Sequence, residues 1–136
     1  MILALCVDDK GGMAFGGRRQ SMDRVLRADL LAAAGDRPLR MNPYTARQFD
    51  PLPPNAVVGE DFLQAAGEED LCFTEFPPLA PYLKDTKGII LYRWNRVYPA
   101  DARLDFDPVS AGFVLRSTVE FPGHSHKLLT KEVYTR

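Results

Sequence analysis

Residues 2–7, ILALCV, are apolar at every position, and Asp8-Asp9-Lys10-Gly11-Gly12 ends the run abruptly. A strand with one face in water alternates apolar and polar residues. An unbroken apolar run of strand length needs cover on both faces. The chain therefore requires a sheet with layers on both sides, and helices are the usual source of those layers. At 136 residues, it suits one domain with a sizeable core.

The rest of the sequence agrees. Residues 11–17 hold four glycines and read as a mobile loop, continuing through Arg18-Arg19. Ser21 is placed to cap a helix over residues 22–34, with Gly35 as its stop. Met22, Leu26, Leu30 and Ala33 share one stripe of that helix, and Asp29 lies near its middle. Residues 38–41 read as a short strand, and 44–49 as one or two helical turns. Asp50-Pro51-Leu52-Pro53-Pro54-Asn55 is a proline-locked connection. A very short strand is expected at Val57-Val58, a helix over 60–66 ending at Gly67, and a strand over 71–74. Residues 77–82 form a turn with a short helix. Residues 88–94 are the clearest strand, and 113–121 and 127–134 make an antiparallel pair. Helices alternate with strands early and strands dominate late. The expected fold is a single-domain α/β mixed sheet, mostly parallel with antiparallel C-terminal strands, flanked by helices.

Several function classes are excluded at this level. No stretch approaches the ~18 apolar residues needed to span a bilayer, and the N-terminal run lacks the basic lead of a signal peptide. Cys6 and Cys72 sit in apolar runs and are expected as reduced, buried thiols, which fits a cytoplasmic protein. A net charge of −1 gives no global field to draw in nucleic acid. No serine or cysteine carries a nucleophile signature.

Four segments, in order, resemble dihydrofolate reductase. Ala4-Leu5-Cys6-Val7-Asp8 with Gly12-Met13 is similar to that family's opening strand and active-site loop. Pro38-Leu39-Arg40-Met41-Asn42-Pro43-Tyr44-Thr45 is similar to its strand running into Met-Gly-Arg-x-Thr. Pro81-Tyr82 through Ile89-Ile90-Leu91-Tyr92 resembles its Pro-x-Ala-Asp-x-Leu-Tyr-Leu-Thr strand. Phe113–Ser117 and Tyr134–Arg136 resemble its final antiparallel pair. The resemblance implies a shortened reductase fold with a ligand cleft near Ala4, Asp8, Gly12, Met13, Arg18, Arg19, Arg24 and Thr45.

The departures from that pattern bear on function. Asn42-Pro43 replaces the glycine-arginine pair that the family sets against cofactor phosphates, and proline has neither an N–H nor a guanidinium. Glu75-Phe76-Pro77-Pro78 stands where the family has a phosphate-binding glycine pair. The connection from Thr45 to Val57 is too short for the family's adenosine pocket. No cofactor is therefore expected, NADPH included. The family's first-helix acid is also displaced. Counting forward gives Arg24, beside Asp23, and counting backward from Pro38 gives Leu26. Asp29 is the remaining catalytic candidate, with a core-edge carboxylate paired to an arginine as its plainer reading.

Two further clusters stand out. His124-Ser125-His126 resembles the start of the ribonuclease Z motif, His-x-His-x-Asp-His. Here the run continues Lys127-Leu128-Leu129, and the chain has only these two histidines. No zinc nuclease site is expected, and a polar turn is the plainer reading. Tyr92, Arg93, Trp94 and Arg96 mix aromatic and basic side chains, as single-strand nucleic-acid binders do. A packed strand face or a homodimer interface would use them equally well. The favoured expectation is a non-catalytic domain that binds a small molecule or protein partner. The alternatives are a divergent NADPH-dependent reductase of a pterin-like or other small molecule and, more weakly, a nucleic-acid-binding module or ribonuclease.

Overall fold

The computed structural model describes residues 1–136. In chain order it contains β1 (Ile2–Val7), β2 (Gly12–Phe15), β3 (Arg18–Arg19), α1 (Arg24–Ala34), β4 (Leu39–Met41), α2 (Pro43–Ala46), β5 (Ala56–Val58) and β6 (Leu71–Phe73). A 3-10 helix (Ala80–Asp85) follows, then β7 (Gly88–Arg93), β8 (Ala102–Arg103), β9 (Val114–Phe121) and β10 (Leu129–Thr135).

Seven strands form one sheet in the order β5-β4-β6-β1-β7-β10-β9. β1 is central and runs parallel to both β6 and β7. β4 is parallel to β5 and β6, whereas β10 is antiparallel to β7 and β9. This is the mixed sheet expected from the sequence. Its two faces carry separate cores, as the unbroken apolar run of β1 requires. Ala4 with Ile90, Tyr92 and Trp94 of the β7 strand and its end packs against Leu26, Leu30 and Ala34 of α1. Leu3, Leu5 and Val7 point the other way, with Ile89 and Leu91, onto Phe62, Leu79 and Phe113.

Several boundaries differ from the sequence expectation. Asp23, not Ser21, caps α1: its side chain accepts from Val25 N and Leu26 N. Asp23 outcompetes Ser21 because its carboxylate is also fixed by the distant 124–126 segment, a tertiary contact invisible to local patterning. Gly35 ends the helix as expected, with φ 56° and its N–H on Leu31 O. Residues 60–66 make turns, not a helix. Ala65 N reaches Asp61 O, but the ladder does not continue, and Gly67 N is drawn to Asp70 Oδ2 instead. The glycine loop is more ordered than expected, because β2 pairs with both β3 and β8 in a small antiparallel sheet.

Leu30 is fully buried at the centre of the α1 face. Leu30→Ala is expected to cost about 2–5 kcal/mol, lost transfer energy plus an unfilled cavity, measured as a lowered midpoint in urea unfolding.

Candidate functional site

The carboxyl ends of β1, β6 and β7 meet the β2–β3 hairpin and the start of α1, the place where open α/β sheets bind ligands. Asp8 sits there at the end of β1, almost fully buried. Its Oδ1 accepts from Lys10 N and Gly12 N, both at 2.8 Å. Its Oδ2 accepts from Gln20 Nε2 at 3.0 Å and Tyr98 N at 3.2 Å. Burial alone would raise this carboxyl, but those backbone N–H groups and Gln20 outweigh it and hold it below the usual range. Gly12 is required at this point, since a Cβ would stand 2.7 Å from Asp8 Oδ2 and 2.8 Å from Ala100 Cβ. Asp8 and Gly12 therefore shape the hairpin. Ala4 and Met13, also expected to face a ligand, are buried in the two cores.

Arg19, Thr45 and Glu75 come together on the neighbouring side. Glu75 follows β6 and points at α2. Arg19 Nε lies 2.8 Å from Glu75 Oε2, and Arg19 Nη2 lies 3.2 Å from Glu75 Oε1. The same Oε1 accepts from Thr45 Oγ1 at 2.8 Å and Gln48 Nε2 at 3.3 Å. The Arg19 guanidinium rests 4.3 Å from the Tyr44 ring centroid, and Tyr44 packs on Phe76. Asn42 and Pro43 make a helix start. Pro43 occupies the first turn of α2 and Asn42 Oδ1 accepts from Thr45 N at 2.8 Å. Arg18 is exposed on β3.

Sequence reasoning missed the centre that anchors the other flank. Asp23 is buried and accepts from four backbone N–H groups: Val25, Leu26, His124 and Ser125. His126 Nδ1 lies 2.9 Å from Asp23 Oδ2. A carboxylate only accepts, so Nδ1 carries the proton and Nε2 faces the hydroxyls of Ser21 at 3.1 Å and Tyr98 at 3.0 Å. Trp94 stacks on the imidazole with ring centroids 4.7 Å apart. Burial pushes the Asp23 carboxyl up, but His126 and the backbone donors prevail and hold it well below the usual carboxylate range. The signals in the sequence were an aspartate one residue before the helix and the His-x-His run.

Ser21, His126 and Asp23 thus stand in the order of an acyl-transfer triad. Two observations argue against that chemistry. The helix-start N–H groups that could receive an oxyanion, those of Val25 and Leu26, are already given to Asp23. The cavity beside Ser21, bounded by Cys6, Arg19, Gln20, Glu75 and Trp94, has a volume of about 10 Å³, no more than one water needs. The Cys6 thiol in its wall is pushed well up by burial and then by Glu75, so it is not a nucleophile either.

Asp29 is half-buried on α1, and its Oδ2 accepts from Tyr92 Oη at 2.6 Å and pairs with Lys131 Nζ at 2.9 Å. Its cationic partner is a lysine of β10, not the arginine expected. Tyr92 and Trp94 are core residues, 0% and 4% exposed, so neither offers a face to a base. Arg93 pairs with Glu132, while Arg96 is exposed. The nucleic-acid candidates are thus divided between core and surface. Cys6 and Cys72 are free thiols, no helix is long and apolar enough to cross a membrane, and no cluster of three or more metal-ligating side chains exists.

A roomier groove lies between α1 and the proline connection. Its volume of about 420 Å³ falls within the range common for small-molecule sites, ~300–1,000 Å³. Phe49, Pro51, Leu52 and Pro53 form its apolar side, and Arg24 and Arg27 project from α1. Neither arginine has an ion-pair partner, and Asp50 is the acid of the lining. A cavity of similar size opens near Met1 and Lys87, at the amino ends of the strands and away from these groups.

The parallel sheet centred on β1, its antiparallel C-terminal strands and the loop-and-helix site at the strand ends define a dihydrofolate reductase fold. The solved structure it resembles is dihydrofolate reductase from Enterococcus faecalis, complexed with NADP(H) and RAB-propyl. The TM-score is 0.69 at 13% identity, and the match covers 100% of this chain and 96% of that one. No family profile matches the sequence, and no curated protein sequence matches it.

Asp23→Asn should cost about 1–3 kcal/mol, because the amide removes the charged acceptor of His126 and of four backbone N–H groups and turns donor hydrogens toward some of them. The folded carboxyl is depressed, so its stabilisation is present above the unfolded pKa of about 3.9 and is lost as pH falls below it. Unfolding midpoints measured from neutral to acid pH should therefore drop steeply below about pH 4 for the wild type and less steeply for the variant.

Proposed function

We propose that this protein is a non-catalytic binding domain on a dihydrofolate reductase scaffold, one that takes up no nicotinamide dinucleotide and receives its ligand in the groove beside α1. The observation that carries the reading is the self-satisfied Arg19–Glu75–Thr45 network. Where the resemblance implies a cofactor phosphate, the chain sets a carboxylate, and its own arginine, threonine and glutamine already hold that carboxylate. The N–H of Thr45 is given to Asn42. A phosphate arriving there would meet like charge and spent donors.

The acids of the first helix support the same conclusion. Asp23 has donors on both oxygens, and Asp29 is held by Tyr92 and Lys131. Neither is free to protonate a bound heterocycle. The residual cavity at the strand ends is too small for one. The groove of Arg24 and Arg27 suits a partly apolar small molecule bearing a carboxylate, with the guanidinium groups on the anion and Phe49 and Leu52 against the apolar part.

Thermal unfolding in the presence of NADPH, dihydrofolate, an antifolate and a panel of aromatic carboxylates tests this. A ligand at 100 times its dissociation constant adds about 2.7 kcal/mol, several degrees for a domain of this size. No shift is expected with NADPH, alone or with dihydrofolate. A carboxylate that binds should shift the wild type and lose that shift in Arg24→Ala/Arg27→Ala. A clear NADPH shift would return the protein to the reductases. A carboxylate shift that survives the double variant would remove the groove.

A further inference from the structure

Three charged side chains line the groove between α1 and the proline connection, and none of them has an ion-pair partner in the chain. Arg24 and Arg27 stand three residues apart on α1, so they are neighbours on one face of the helix. Ala28 and Leu31 continue that stripe away from the helix start as an apolar floor. The facing segment supplies Asp50, whose exposed carboxylate makes no hydrogen bond. The two arginines and the aspartate thus lie on opposite walls and do not pair across the groove.

Gln48 adds an acceptor on the segment of Asp50. Its Nε2 donates to Glu75 Oε1 at 3.3 Å. A carboxylate only accepts, so the amide is fixed with its Oε1 turned away from Glu75. Gln48 lines the groove, and that oxygen has no donor within the chain. One wall therefore offers positively charged N–H donors, and the other offers two acceptors, one of them charged. A ligand with a carboxylate alone satisfies only the first wall. It strips water from Asp50 and sets a second anion near it, which costs free energy. A polyanion fares worse. A ligand with an amine alone leaves the arginines unmet in the same way. A molecule that carries both groups meets both walls through charge-assisted hydrogen bonds.

We propose that the ligand of this groove, the site on which the proposed function also rests, is an apolar zwitterion. It is an amino acid or short peptide with a free ammonium, a free carboxylate and a large apolar side chain. Arg24 and Arg27 hold the carboxylate. Asp50 and the Gln48 amide oxygen take the ammonium protons, and Leu31 and Leu52 pack on the side chain. The volume of about 420 Å³ admits either kind of molecule. Asp50 is then the residue that sets specificity, because it separates amino acids from plain carboxylates that fit the same apolar wall.

Titration calorimetry on the full chain at neutral pH, with phenylalanine, phenylalanylphenylalanine and phenylpropionate, tests this. Phenylpropionate keeps the ring and the carboxylate and lacks the ammonium. At least one of the two zwitterions should bind about tenfold or more tightly than phenylpropionate. Asp50→Asn, at an exposed position with no hydrogen bond to lose, should abolish that preference and leave phenylpropionate bound at least as well. Arg24→Ala/Arg27→Ala should abolish binding of all three. Thermal unfolding without ligand would check that both variants are folded. If phenylpropionate binds as tightly as the zwitterions, or the preference survives Asp50→Asn, the zwitterion is overturned while the carboxylate groove stands. If none of the three binds but another carboxylate does, the zwitterion again falls alone. Binding that survives the double arginine variant, or no binding by any carboxylate, removes both.

Discussion

The buried carboxylate of Asp23 joins parts of the chain that nothing else fastens. It sits at the start of α1 and collects the backbone N–H groups of residues more than 100 positions away. Burying an ion is costly, and this one remains charged because donors and the His126 imidazole surround it. Several consequences follow from that single group. The first turn of α1 is fixed, so Leu26 and Leu30 meet the sheet at the correct rotation. The connection between β9 and β10 is held down over Trp94. His126 is also locked in one tautomer, which turns the hydroxyls of Ser21 and Tyr98 inward toward it. An arrangement that superficially matches a hydrolytic triad is, by the number of its protein partners, a clamp.

The neighbouring cleft shows changes that make sense only together. Glu75 alone at the end of β6 would be a half-buried, unpaired acid. Arg19 alone on β3 would be a cation facing a hydrophobic wall. Asn42-Pro43 alone would start a helix with nothing to hold. Combined, they form a closed set in which Asn42 caps α2, α2 presents Thr45, Thr45 donates to Glu75 and Arg19 neutralises it. Reverting one member would leave the others unsatisfied, at a cost of roughly 1–3 kcal/mol for each orphaned polar group. The network is held by interactions of the same order as those that hold the fold.

How much of this was legible in the sequence depended on range. β1 and β7 were readable because burial on both faces writes an unbroken apolar run, and Gly35 because a helix stop is local. Residues 60–66 had helical composition, but Asp70 captures Gly67 N and the segment turns instead. Asp23 as helix cap could not be preferred over Ser21 from local pattern, since the donors that decide it arrive from residues 124–126. The same applies to Asp29. Its place on the apolar stripe was clear, whereas its partners Tyr92 and Lys131 are set by strand register. The strand order was not legible, and the small β3-β2-β8 sheet was hidden in what composition alone marks as a flexible glycine loop.

The two edges of the main sheet are guarded in different ways. β5 is three residues long and ends at Val58, so it offers little ladder to a visiting strand, and shortness is itself a guard against edge pairing. β9 has no such protection by length. Its unpaired N–H and C=O groups are not costly in themselves, because water satisfies them. What water does not satisfy is Val114, Leu115 and Val119, set on a strand that no helix or loop covers. A bulge and two charges are the usual means of discouraging such an edge from pairing, and β9 has both. The bulge interrupts the ladder at Arg116, and the Arg116 guanidinium is held back on Thr135 and the Arg136 carbonyl, so a visiting strand meets a broken register at one end of β9 and the Glu120 carboxylate at the other.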